Sequence, residues 1–308
     1  MKKVVSVSLG SSKRDFAETA EFLGESFEIR RVGTDGDYEK YDALLLELDG
    51  TVDALCLGGI DRYLWSGGKR YEFRDARRLI KGVTKTPIVD GSGLKNTLER
   101  ETVRWLAKNG VVNFAAKKTL MVCGVDRFGM SEALVEQNGR VVFGDLMFAL
   151  GVPVPIRSWT AHKAIARTLL PLLTQVPVSL LYPTGEKQEA ITPKWGKWFD
   201  WADVLAGDFH LIRRFLPAPT GCPLAGKIIL TNTTTAQDVE ELEARGASLL
   251  ITTTPRFGGR SPGTNVLEGV LVALNGGKPL TEAEYLHLLQ RLDWKPDVSP
   301  LLENGQGK

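Results

Sequence analysis

The chain predicts an α/β protein of two domains, an N-terminal α/β layer followed by a Rossmann-like, doubly wound parallel sheet, and three observations lead there. Strand-like apolar runs alternate with helix-like stretches over most of the length. Residues 119–145 read as strand, glycine-bounded turn, helix, second strand and a closing acid. With 308 residues, 43% of them hydrophobic, the chain has material for two cores of ordinary size.

In order, residues 3–9 form a β-branched run suited to a strand, 16–23 a helix, 27–32 a strand, 38–48 a helix and 52–57 a strand. Residues 63–73 predict a hairpin around Ser66, Gly67 and Gly68, followed by a basic helix over 74–82 and a strand over 87–89. A helix over 98–109 ends at Asn109 and Gly110, and the domain boundary is expected near 111–117. The expected domains are therefore 1–112 and 113–308, with the last helix packing back on the first domain.

In the second domain, 119–123 is a short apolar run of the kind a buried parallel strand uses, 131–137 begins a helix and 140–143 returns as a strand. Gly124 and Gly129 bracket a turn filled by Val125, Asp126, Arg127 and Phe128. A pyrophosphate needs bare amides and the positive end of a helix, so Arg127 would add charge while Asp126 has to point away. Asp145 follows Gly124 by about 20 residues, where such folds put a carboxylate on the adenosine ribose and prefer NAD to NADP. The competing reading is a plain βαβ unit without ligand.

An insertion over 146–201 is rich in proline and tryptophan, with a helix expected over 160–174. Trp195, Trp198 and Trp201 recur every three residues and read first as a buried helix face. Alternation resumes at 203–206, 227–230, 236–245 and 248–252. The polar turns GDFHLIRR, TNTTT and TTTPRFGGRSPGTN follow the strands and should converge with VDRFGM at the carboxyl edge of the sheet. Gly258, Gly259 and Gly263 resemble an anion nest or a flexible turn.

Composition excludes several classes. Lys and Arg number 39 against 37 Asp and Glu, a net charge of +2, and the arginine doublets are scattered, so no basic face for nucleic acid is expected. Cys56, Cys123 and Cys222 lie far apart, with neither a disulfide framework nor zinc spacing, and no metal is expected. No apolar run approaches the roughly 20 residues of a membrane span, which makes a reducing cytoplasm the expected location. A homodimer is the default assembly.

Among residues that carry chemistry, Lys95 stands out as a proton carrier, with Asp90 to orient it or share the proton. The bland alternative makes Asn96 or Thr97 a helix cap and Glu99 or Arg100 part of an exposed face. Ser11 and Ser12, after the first strand, either hold a carboxylate at the start of the first helix or simply cap it. His210 lies in a strand-end turn, while His162 and His287 read as surface helix residues.

These features resemble the bacterial proteins described as quinate 5-dehydrogenases over nearly the whole chain, and more distantly the shikimate and quinate dehydrogenases. The distant likeness is one of order: the serine pair Ser11 and Ser12, then Asn96 and Thr97, then the cofactor turn Gly124 to Gly129. That family follows its Asn-Thr with a catalytic aspartate, where this chain has Leu98 and Glu99, and its cofactor turn is richer in glycine. The family's catalytic lysine motif has no clear match in this chain either. The resemblance implies an NAD-dependent oxidoreductase acting on a small hydroxylated carboxylic acid in a cleft between two domains, and the candidate residues take their expected roles from their own positions in this sequence. Lys95 and Asp90 would move the proton. Ser11, Ser12, Asn96 and Thr97 would hold the substrate. Gly124, Asp126, Arg127, Phe128, Gly129 and Asp145 would seat the cofactor, with Asn232 and Thr233 near the nicotinamide. The rivals are a non-catalytic nucleotide or metabolite sensor and a transferase using the same crevice.

Overall fold

The computed structural model of the chain describes residues 1–66, 69–176, 191–254 and 263–301. The first part of the chain forms strands β1 (Lys2–Ser8), β2 (Phe16–Phe22) and β3 (Glu25–Gly33), helix α1 (Tyr38–Leu48), strands β4 (Ala54–Gly58), β5 (Tyr63–Ser66) and β6 (Lys69–Glu72), helix α2 (Arg74–Leu79), strand β7 (Ile88–Val89) and helix α3 (Ser92–Lys108). Next come β8 (Lys118–Met121), α4 (Phe128–Glu136), β9 (Arg140–Phe143), α5 (Asp145–Phe148), α6 (Trp159–Leu173), α7 (Gly196–Trp201) and β10 (Val204–Ala206). The chain continues through α8 (Phe209–Arg214), β11 (Ile228–Thr231), α9 (Ala236–Glu243), β12 (Leu249–Thr252), α10 (Thr264–Leu274), α11 (Glu282–Arg291) and β13 (Asp297–Pro300).

The fold is α/β in two compact units. Among the described residues the first comprises 1–66, 69–97, 166–176 and 263–294, and the second 98–165, 191–254 and 295–301. The division falls after Thr97, within α3, whereas the expected boundary lies at 111–117. The second half of α3 gives Val103 and Leu106 to the core of the second unit. The late helices α10 and α11 complete the first unit, with α10 lying on β1, β4 and β7.

The first unit holds a five-stranded sheet in the order β2-β3-β1-β4-β7, parallel except for β2. Val4, Val5, Val7, Leu55 and Leu57 are buried, as strands covered on both faces require. Residues 16–23 are not the expected helix but the edge strand β2. It pairs with β3 through the two-residue turn Leu23-Gly24, where both φ angles are positive (53° and 82°), the geometry of a hairpin turn matched to strand twist. Ser11 and Ser12 consequently lead into a single 3-10 turn and a strand, and no long helix follows them. The chain leaves β1 for β3 on one side and returns to β4 on the other, which makes β1/β4 a topological switch point.

The second unit holds a six-stranded sheet in the order β13-β12-β11-β10-β8-β9, with only β13 antiparallel. Read in chain order, the parallel strands run 2-1-3-4-5, a doubly wound arrangement with its switch point between β8 and β10. Alternation along the strands feeds two cores. Leu120, Leu205, Ile229 and Leu250 pack with Trp198, Phe199 and Phe209 on one face, while Met121, Ala206, Leu230 and Ile251 pack with Leu106, Met130 and Leu134 on the other. Trp198 is buried with Trp195 and Trp201 packed partly buried beside it, so the tryptophan triplet forms an inward face. The hairpin glycines Gly67 and Gly68, most of the proline-rich stretch of the insertion, and Gly258 and Gly259 lie outside the described residues.

Candidate functional site

In the first unit, parallel packing brings three carboxyl-edge segments together: the turn after β1, the turn after β4 and the start of α3 after β7. Lys95 sits in the first turns of α3, only 8% exposed. Its Nζ lies 3.5 Å from Oδ1 of Asp61, a residue of the turn after β4. An ammonium largely withdrawn from water, beside a carboxylate that is 30% exposed, is an arrangement able to give or take a proton at a bound hydroxyl.

Asp90 does different work from that read in the sequence. Its Oδ2 accepts from the backbone N–H of Arg62 at 2.6 Å and of Tyr63 at 3.0 Å, and its Oδ1 from the N–H and hydroxyl of Ser92 at 3.1 and 2.6 Å. It therefore ties the Asp61 turn to the start of α3. Because α3 begins at Ser92, Asn96 and Thr97 lie inside the helix and are not caps. Thr97 is buried. Asn96 Oδ1 is shut off from water without a hydrogen-bond partner among the described residues, a buried acceptor still to be satisfied. Ser11 caps its own turn by accepting from Lys13 N–H at 3.2 Å, and the Ser12 N–H donates to Asp35 at 2.7 Å. Both serines thus have local partners.

In the second unit the strand-end turns converge as the doubly wound order requires. Arg127, 3% exposed, bonds Glu99 and, at 2.8 Å, Asp208 after β10. Asp126 lies 3.7 Å from its Nε. Asp208 meets the amide of Asn232, after β11, at 3.5 Å, and the Asn232 carbonyl accepts from Thr254 after β12 at 3.1 Å. Thr233 is half-buried beside them. Burial works against the Arg127 charge, yet Glu99, then Asp208 and Asp126, hold its pKa well above the usual arginine value. Burial, opposed by Arg127, pushes the Cys123 thiol well up, which keeps it an unreactive acceptor for the Asp208 N–H at 3.2 Å. Glu99, read as part of an exposed face, is fully buried.

The glycine turn is filled by the protein itself. Helix α4 starts at Phe128, earlier than expected, and Phe128, Gly129, Met130 and Ser131 are all buried. A Cβ on Gly124 would meet His162 Nε2 at 2.8 Å, Phe143 at 2.8 Å and Ser131 Oγ at 2.9 Å, so this glycine serves close side-chain packing. His162 is not a surface residue: it is fully buried and stacks on Phe143 and Trp159 at 4.3 and 5.4 Å, while Phe128 leans on Trp159 at 4.9 Å. Asp145 Oδ1 accepts from Val125 N–H at 2.8 Å and its Oδ2 lies 3.0 Å from His162 Nε2. Three carboxylates crowd one guanidinium where a pyrophosphate would need net positive charge, and the ribose carboxylate is already engaged. As they stand, these residues do not fit a dinucleotide.

The sequence reading passed over Asp61 and Asp208 and placed Glu99 and His162 at the surface. Only Asp208 carried a signal, as the helix cap directly after a strand. It accepts from His210 and Leu211 N–H, leaving the His210 ring at the surface. Among the described residues no helix is long and apolar enough to cross a membrane, and no group of three or more His, Cys, Asp or Glu could hold a metal.

Two sequence families match the chain, one described as "Domain of unknown function (DUF8753)" over residues 3–90 and one as "Domain of unknown function (DUF8754)" over residues 93–301. No curated protein matches it in sequence. Among solved structures it is similar to a hetero-hexameric glutamate dehydrogenase from Thermus thermophilus, with 13% identity, 95% of this chain and 73% of that one covered, and a TM-score of 0.44. It is also similar to an NAD-dependent malic enzyme from Thermotoga maritima, with 10% identity, 94% and 84% covered, and a TM-score of 0.36. An ABC transporter periplasmic solute binding protein from Actinobacillus succinogenes with bound D-allose gives 11% identity, 97% of each chain covered, and a TM-score of 0.39. Likenesses this remote carry no argument about activity.

Proposed function

The chain belongs to the DUF8754 family, whose description names no activity, and we propose from its own geometry that it acts on a small hydroxylated carboxylic acid at the Lys95–Asp61 pair. The observation that carries this reading is the 3.5 Å approach of Lys95 Nζ to Asp61 at the carboxyl edge of a parallel sheet. The ammonium would attract the carboxylate or steady a hydroxyl oxygen of the ligand, and Asp61 would accept a hydroxyl proton. Quinate- and shikimate-like acids are the first to try. Calorimetric titration with a panel of hydroxy acids should find at least one that binds, and Lys95→Ala should weaken it about tenfold or more, roughly 1.4 kcal/mol. If no hydroxylated acid binds, or the variant binds equally well, the reading is lost.

A second reading, the NAD-dependent oxidoreductase, is favoured by one observation: the second unit runs 2-1-3-4-5 with an acid, Asp145, directly after its second strand. The His162 contact and the acidic turn oppose it, so no step is drawn through a coenzyme. Titration with NAD and NADP, followed by tryptophan fluorescence, decides. Binding of NAD that His162→Ala strengthens and Asp145→Ala weakens would support this reading, whereas no binding at millimolar concentration would end it.

A further inference from the structure

Beneath the Lys95–Asp61 pair lies a second carboxylate that neither reading uses. Glu268, on α10, is only 4% exposed. Its Oε2 accepts from the N–H of Gly91 at 2.6 Å, and its Oε1 accepts from the Tyr285 hydroxyl of α11 at 2.6 Å. The Gly91 carbonyl in turn accepts from Lys95 N–H at 2.8 Å, opening α3. A single residue, Gly91, thus joins Glu268 to the backbone of Lys95 through its two peptide groups. Asp90 does the corresponding service for the other partner, since it holds the amides of Arg62 and Tyr63 directly after Asp61.

Close packing leaves this turn little freedom. Gly91 has φ +91°, and a Cβ there would lie 2.9 Å from Asn265 N at the start of α10. A Cβ on Gly93 would run into Glu268 Oε1 and come 3.0 Å from the Tyr285 hydroxyl. Asn265 pins the same end of α10 to the sheet by donating to Ser6 Oγ and the Leu57 carbonyl at 3.1 and 2.9 Å.

We propose that Glu268 is a positioning residue for the Lys95–Asp61 pair, fixing through Gly91 the turn from which Lys95 is presented while Asp90 fixes the turn that carries Asp61. The groups around it make that hold sensitive to protonation. Burial, then the charge of Asp90, raise the Glu268 carboxyl to about 7, with the Tyr285 hydroxyl, the Gly91 amide and Arg70 of β6 working the other way. The Cys56 thiol of β4 is itself pushed up by burial and by Glu268. Lys2 of β1 lies against the far end of α10, where its Nζ reaches the Ala273 carbonyl. Near neutral pH a proton therefore enters or leaves beside Asp90, and the Gly91 turn must answer.

The inference rests on the Lys95–Asp61 pair of the proposed function and needs neither coenzyme nor substrate to be tested. The purified full chain is treated with a lysine-acylating reagent across a pH series, and peptide mass spectrometry gives the ratio of Lys95 to the exposed Lys40. In the wild type this ratio should change by about threefold or more, with its midpoint near 7, as Glu268 titrates. Glu268→Gln keeps an acceptor for Gly91 and a partner for Tyr285 but cannot ionise, and the step should vanish. Tyr285→Phe removes a hydrogen bond that favours the carboxylate, and the midpoint should move to higher pH. A wild-type ratio without a step, a step that persists in Glu268→Gln, or a midpoint unmoved by Tyr285→Phe would each overturn the proposal. A chain that shows the step yet binds no hydroxy acid would separate this inference from the proposed function, which alone would fail.

Discussion

Arg127 shows how far a single residue's role depends on its neighbours. In the sequence it reads as a charge offered to a phosphate. In the structure its guanidinium is enclosed by Glu99, Asp208 and Asp126 and stitches α3 and the turns after β8 and β10 into one cluster. Breaking a buried ion pair by removing one partner costs about 3–5 kcal/mol, because the other charge is left without compensation. Arg127→Met should accordingly lower the denaturant midpoint strongly, and a midpoint within error of the wild type would show that these carboxylates do not depend on it. Lys95 and Asp90 were visible in the sequence because they stand close together at a strand end. Asp61 and Glu268 were not, since only parallel strand pairing and the return of α10 to the first unit bring them beside that turn.

At the scale of elements, the sequence was most legible where one-residue patterns agreed with burial. The largely apolar runs of β1, β4, β11 and β12 were read within a residue or two, because strands buried on both faces carry few polar side chains. Strand β2 was misread. Its alanines and glutamates favour helix, but Phe16, Glu18, Ala20 and Phe22 alternate toward one face, and Leu23-Gly24 turns the chain straight back onto β3. Helix α10 offers a sharp test of packing against propensity. Alanine is the better helix former by about 1 kcal/mol, yet a Cβ on Gly269 would lie 2.9 Å from Val4 and collide with the Cys56 sulfur. Overpacking of this kind costs about 1–3 kcal/mol. Gly269→Ala should therefore lower thermal stability, and a rise would mean that the helix can lift off the sheet freely.

For the whole molecule, length and alternation foretold two α/β units, and the doubly wound order of the second follows from the strand and turn signals. The expected boundary at 111–117 differs from the division after Thr97 because no composition shift marks the middle of α3. Stability carries the imprint of Glu268. Its folded value of about 7 lies above the ordinary 4.5, so the folded chain binds the extra proton between those limits. The stabilisation is full below about 4.5 and lost as pH rises through about 7, amounting to about 3 kcal/mol. Equilibrium unfolding across that window should show this decline in the wild type and a shallower one in Glu268→Gln; parallel curves would remove Glu268 as its source.

Protection of Lys95 by a bound ligand asks whether the acid docks at the Lys95–Asp61 pair. With the hydroxy acid that binds best present at saturation, acylation of Lys95 should fall by about tenfold or more while Lys40 reacts at its usual rate, as expected when a carboxylate or hydroxyl occupies the ammonium. Undiminished labelling of Lys95 in a chain shown by calorimetry to be saturated would place the ligand elsewhere and remove Lys95 from the site.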